Sequence, residues 1–140
     1  MPVVSDGRPA PDEETVAIAG RAFNLARSGG ADTLADWVDH GLPVNLTNGG
    51  GDTLLVLAAY HAHPATVRAL LDRGADPDRV NDRGQTALGA AVFRQSRDAV
   101  EALLAAGADP DLGRQSGRST ADFFALPEMA ALLPPPVGSA

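Results

Sequence analysis

The chain has 140 residues, 44% of them hydrophobic and 21% charged, which fits one globular domain and excludes a large multidomain enzyme. It contains no cysteine, which excludes a disulfide framework, a thiolate metal site and a cysteine nucleophile, and its 3 histidines are all that remain for imidazole chemistry. Its formal charge is −7 and all 11 of its cations are arginine, so unspecific attraction to nucleic acid or to an anionic membrane surface is disfavoured unless the arginines gather on one face.

In chain order, residues 1–13 are rich in Pro, Asp and Glu without periodicity and are expected to form a disordered tail. Met1 to Arg8 has neither the basic start nor the apolar core of a secretory signal, and the expected location is cytoplasmic. Residues 14–45 supply two predicted helices, Glu14 to Arg27 and Asp32 to Val38. In residues 46–78, Thr53 is placed to cap a helix over Leu54 to Tyr60. Ala62-His63-Pro64 breaks the chain, and Val67, Leu70 and Leu71 form an i, i+3, i+4 stripe that ends at Gly74. Residues 79–111 repeat the plan with Thr86, Ala87 to Phe93, the break at Gln95-Ser96, then Val100, Leu103 and Leu104 before Gly107. In residues 112–133, Ser119 is the expected cap. Phe124, in the register of Ala58 and Ala91, is read as bulk that closes the stack. Residues 134–140 begin with three prolines and are expected to be a second disordered tail.

The similarity between these units is measurable. Leu70-Leu71-Asp72-Arg73-Gly74-Ala75-Asp76-Pro77-Asp78 matches Leu103 to Asp111 at 7 of 9 positions with an offset of 33. The same offset relates Gly51-Asp52-Thr53 to Gly84-Gln85-Thr86 and, further on, to Gly117-Arg118-Ser119. A helix pair of this size cannot bury its apolar face alone, so its stability has to come from stacked neighbours.

The 33-residue period, the Gly-x-Thr opening at Gly51 and Gly84, and the Leu-Leu-x-x-Gly-Ala-Asp-x-Asp closing at Leu70 and Leu103 resemble the ankyrin repeat family. The resemblance implies an all-α solenoid of about four stacked helix-turn-helix units, two full repeats between an N-terminal and a C-terminal cap, joined by short hairpin-like loops. It departs from the family where Thr-Pro-Leu-His is replaced by Thr53-Leu54-Leu55-Val56 and Thr86-Ala87-Leu88-Gly89, which removes the Thr–His hydrogen bond.

Chemistry finds little support. His61-Ala62-His63 lacks a third ligand beside it, no Gly-x-Ser-x-Gly elbow occurs, and Asn48-Gly49-Gly50-Gly51 lacks the Lys-Ser/Thr end of a phosphate loop. Asp76/Asp78 and Asp109/Asp111 recur with the repeat, as turn residues do and catalytic pairs do not. No metal, cofactor or catalytic residue is expected.

The resemblance implies binding through the hairpin fingers and the exposed ends of the first helices. The finger candidates are Asp52, Asp82, Arg83, Gln85, Gln115 and Arg118, and the helix-end candidates are Tyr60, His61, Phe93 and Arg94. Tyr60 and Phe93 lie one repeat apart, and Arg83, Arg94 and Arg118 are assigned to the same face as this aromatic pair. The expected function is that of a non-catalytic, monomeric protein–protein interaction module. It would regulate or scaffold a partner protein through an acidic segment with an apolar anchor, with no role for nucleic acid or membrane. The alternative is a small-ligand-binding protein or atypical enzyme using the groove around Tyr60, His61 and Arg94.

Overall fold

The computed structural model describes residues 13–136. Most of both expected tails therefore lies outside the described residues; Glu13 opens the first helix, and Pro134 to Pro136 follow the last. The helices run in pairs: α1 (Glu13–Ser28) with α2 (Ala31–Asp39), α3 (Leu54–Tyr60) with α4 (Pro64–Leu71), α5 (Ala87–Phe93) with α6 (Arg97–Ala105), and α7 (Gly117–Phe123) with α8 (Pro127–Leu132). First helices contact first helices in the order α1, α3, α5, α7, and second helices follow α2, α4, α6, α8. The result is an all-α solenoid two layers thick.

Each unit is closed by local signals. Thr53 and Thr86 accept at 3.1 Å from the amides of Val56 and Gly89, which satisfies donors that the first helical turn leaves free. Just past the ends of the second helices stand Gly74 and Gly107 at φ +87° and +91°, after which Ala75 N donates to Leu70 O and Ala108 N to Leu103 O. Only a residue that tolerates the left-handed region closes a helix this way without strain.

The core follows the repeat. Leu34, Leu54, Leu70, Leu88, Val67, Val100 and Leu103 are fully buried, as are the alanines Ala58 of α3 and Ala91 of α5. Arg73 reaches back one repeat to Asp39 at 2.9 Å. The recurring acids serve turns, as their repetition indicated: Asp78 Oδ1 accepts from Asp109 N of the next unit, and Asp76 Oδ1 accepts from Asp78 N, both at 2.9 Å.

The last unit corrects the sequence register. The cap of α7 is Ser116, which accepts from Ser119 N at 3.1 Å, and not Ser119 itself. Ser116 therefore matches Thr86, Phe123 matches Phe93, and the third finger is three residues shorter than the second. Ala121, only 2% exposed, takes the place of Ala58 and Ala91. Phe124 is not the steric stop between first helices that a strict period of 33 predicted; it follows α7 and is 49% exposed. Ser119 Oγ instead donates to the carbonyls of Arg114 and Ser116, tying the short finger to the helix start.

Candidate functional site: the groove between fingers and first helices

The first two fingers are built on asparagine. Asn48 Oδ1 accepts from Gly50 N and Asp52 N, and Asn81 Oδ1 accepts from Arg83 N and Gln85 N, all at 2.9–3.0 Å. Each tip closes with Asn48 N donating to Asp52 O or Asn81 N to Gln85 O, the hairpin-like geometry that the sequence implied. The third finger is too short for a hairpin and lies along the second, with Gln115 N donating to Gly84 O at 2.9 Å and a parallel bridge between Gln85 and Gln115.

The fingers face the ends of the first helices across a groove of about 240 Å³, with Gln85 and Gln115 on one side, Tyr60, Phe93 and Phe124 on the other, and Gly89 in its floor. The absence of a side chain at Gly89 is what lets the fingers come this close, because a Cβ there would collide with the carbonyl oxygen of Gln115.

The aromatic wall is continuous. Tyr60 and Phe93 stack with centroids 6.2 Å apart and an interplanar angle of 11°, and Phe93 meets the edge of Phe124 at 5.3 Å. Phe124 in turn meets Phe123 at 4.9 Å. These rings stay substantially open to solvent, with Tyr60 39%, Phe93 42% and Phe123 81% exposed. A second depression, lined by Arg114, Gln115, Phe123 and Phe124, continues the groove toward the end of the stack.

The candidate residues separate by their surroundings. Tyr60, Phe93, Gln85 and Gln115 line the groove, and Arg94 and Asp82 are exposed with no side-chain hydrogen bond or ion pair among the described residues. His61 sits edge-on to Tyr60 at 5.3 Å. Its pKa is lowered from 6.5, first by partial desolvation against its neighbours and then by the positive fields of Arg27, His63 and Arg94. Asp52 is committed to structure: it is buried and accepts from Asn81 Nδ2 at 2.7 Å and Asn48 Nδ2 at 3.3 Å, while Arg83, largely exposed, reaches the same carboxylate at 3.5 Å. Arg118 leaves the set altogether. In the shortened register it occupies the place of the core residue Leu88, and its guanidinium donates to Asp111 Oδ1 and to Pro134 O, each at 2.6 Å. It does not share a face with Arg83 and Arg94, as a period of 33 had placed it.

Several groove residues were not among the candidates read from the sequence, chief among them Gly89, Phe123 and Phe124. The signal existed in the Gln-Thr and Gln-Ser pairs. Aligning Gln85-Thr86 with Gln115-Ser116 moves the phenylalanines into the column of Phe93 and Arg94.

Among the described residues no three His, Cys, Asp or Glu side chains gather to hold a metal ion, and no helix is long and apolar enough to cross a membrane. Stacked helix pairs with fingers over a groove define a repeat solenoid whose open surface is suited to recognition. A three-copy profile of ankyrin repeats matches residues 23–113. The chain belongs to the ankyrin repeat family, whose members generally bind other proteins and are typically non-catalytic. An ankyrin repeat protein of Pseudomonas aeruginosa is 48% identical over 61 residues, a match covering 44% of this chain and 36% of the relative. The chain thus spans about a third of the length of that curated relative.

Proposed function

We propose that this chain is a monomeric, non-catalytic interaction module of the cytoplasm that scaffolds or regulates a partner protein by holding one of its segments in the groove between the fingers and the first helices. The observation that carries the reading is the exposed aromatic row. In a chain only 4% aromatic, four of the six aromatic side chains form one contiguous, solvent-facing strip. Exposed aromatic surface beside unpaired arginine is the composition of binding hot spots, whereas the same rings would be withdrawn if they served the core alone. The alternative small-ligand site draws no support from the geometry, because His61 and Arg94 do not line the groove that Tyr60 lines.

The test is affinity capture from a native lysate with wild type and a Tyr60→Ala/Phe93→Ala variant, each first shown to be folded by circular dichroism. Each ring is partly buried and stacked, so each truncation costs about 1 kcal/mol, and the fold survives it. A partner retained by wild type and lost by the variant supports the reading. Retention at wild-type strength by the folded variant would remove the groove from consideration.

A further inference from the structure

Resting on that groove reading, the charges around it narrow the partner's chemistry. Arg73, Arg79, Arg97 and Arg118 each pair with a carboxylate. Arg27, at the end of the helix before Tyr60, and Arg94, directly after Phe93, pair with none among the described residues; Arg27 Nη1 donates only to the amide oxygen of Asn24 at 3.1 Å. His61 lies between them, in the same position of its unit as Arg94 and Phe124 hold in theirs. The groups that act on its ring are Arg27 at the end of α1, His63 at the head of α4 and Arg94 just after α5, and none of them is an acid. An otherwise acidic chain thus keeps a short cationic row unneutralised beside an apolar strip.

We propose that the groove takes an extended acidic protein segment whose apolar side chains seat between the aromatic wall and the glutamines, whose carboxylates meet Arg27, His61 and Arg94, and whose binding takes up a proton at His61. Carboxylates arriving between two arginines gain charge-assisted hydrogen bonds and are favoured over basic or neutral competitors. They also reverse the field at His61. In the free chain partial desolvation first, and then the neighbouring cations, disfavour its protonated form, and a bound acid favours it. The complex therefore holds more protons than its parts near pH 6, and affinity falls as pH rises. Packed helices lie about 8–10 Å apart, so an extended segment rising about 3.3 Å per residue advances about three residues per repeat. The recognised element is then short, with its acidic residues and apolar anchor within about six positions of each other. A nucleic acid strand could also stack on the rings, but the net charge of −7 opposes a polyanion at every approach outside this row.

Selection of random 12-residue displayed peptides on the immobilised chain at pH 6.0 tests this, followed by anisotropy titration of the most enriched peptide. Enrichment of Asp and Glu together with Phe, Leu or Trp is expected, with Arg27→Gln/Arg94→Gln weakening the peptide about tenfold. Tightening of about three- to tenfold from pH 7.5 to 5.5 is expected, tenfold corresponding to one pKa unit gained on binding, and His61→Gln should abolish it. Enrichment without acids, no enrichment, indifference to the arginine substitutions, a flat pH profile, or tighter binding of a 12-nucleotide oligothymidine each overturn the proposal. Peptides without acids that are still lost on Tyr60→Ala/Phe93→Ala would leave the groove reading standing, whereas acidic peptides indifferent to those substitutions would remove it.

Discussion

Gly89→Ala opposes a local propensity to a tertiary contact, and the structure predicts which one prevails. Gly89 lies inside α5, where alanine is favoured over glycine by about 1 kcal/mol because it restricts the unfolded chain and exposes less backbone. A Cβ at this position would collide with Gln115 O and lie 3.2 Å and 3.4 Å from the carbonyl carbons of Gln115 and Ser116. None of these is the end of a flexible side chain. Relief requires moving the third finger, which disturbs the Gln115 N to Gly84 O hydrogen bond and the Ser116 cap on α7. One net backbone hydrogen bond and one cap are worth about 1 kcal/mol each, and overpacking adds about 1–3 kcal/mol. Set against the propensity gain, the net destabilisation is about 1–3 kcal/mol. Gly20→Ala is the control: Gly20 is exposed in α1 and, among the described residues, its added Cβ meets nothing within 4 Å beyond its own helix turn, so the same substitution there should stabilise by about 0.5–1 kcal/mol. Urea unfolding followed by circular dichroism at 222 nm measures both. Gly89→Ala as stable as wild type, with Gly20→Ala gaining as expected, would show that the finger is not held against α5 as described.

Asp52→Ala should cost about 1–3 kcal/mol in the same unfolding assay, because the buried carboxylate accepts from two asparagine amides, while Asp82→Ala should stay within about 0.5 kcal/mol. Arg118→Ala should lower stability by about 1 kcal/mol by releasing Asp111 and Pro134, yet leave peptide binding in the groove within about twofold of wild type by anisotropy. Thr66 is 1% exposed and its hydroxyl has no hydrogen-bond partner among the described residues, so Thr66→Val should raise stability by about 1 kcal/mol, read as a higher urea midpoint at unchanged slope. NMR titration should place His40 above 6.5 and His61 below it. The His40 ring hydrogen-bonds the carbonyl oxygen of Asp36 at 2.7 Å and feels its carboxylate, and His61 is partly desolvated among cations. The signs are opposite: the His40 contribution is present below pH 6.5 and fades as pH rises through its raised value, whereas protonating His61 costs stability as pH falls from 6.5 through its lowered value. Equal midpoints for the two rings would contradict both environments.

The helix pairs were legible because their punctuation is local. Thr53 and Thr86 as caps, Pro64 at a helix start, Gly74 and Gly107 at helix ends and the leucine stripes all act within one unit, so each unit announces itself. Tyr60 and Phe93 could be placed together for the same reason, since they end the first helices of two intact, adjacent units. The error at the C-terminus arose where the period breaks. Ser119 and Ser116 are chemically equal candidates for a cap, and choosing the one that kept the offset at 33 displaced Phe123, Phe124 and Arg118 by nearly a helical turn.

By itself, then, the amino-acid order determined a solenoid of helix pairs and the repeat that builds it, because backbone hydrogen bonds and apolar periodicity are satisfied over a few neighbouring residues. Only the tertiary structure decided which side chains serve the groove. Asp52 and Asp82 occupy neighbouring fingers, and one is buried and bonded to Asn81 while the other is exposed with no side-chain partner among the described residues. Arg94 follows the first helix of its unit and Arg118 lies in the first turn of the next unit's first helix, and among the described residues one has no carboxylate partner while the other closes on Asp111. Those outcomes depend on atoms brought together from different repeats, and above all on a third finger that can lie against α5 only because residue 89 has no side chain.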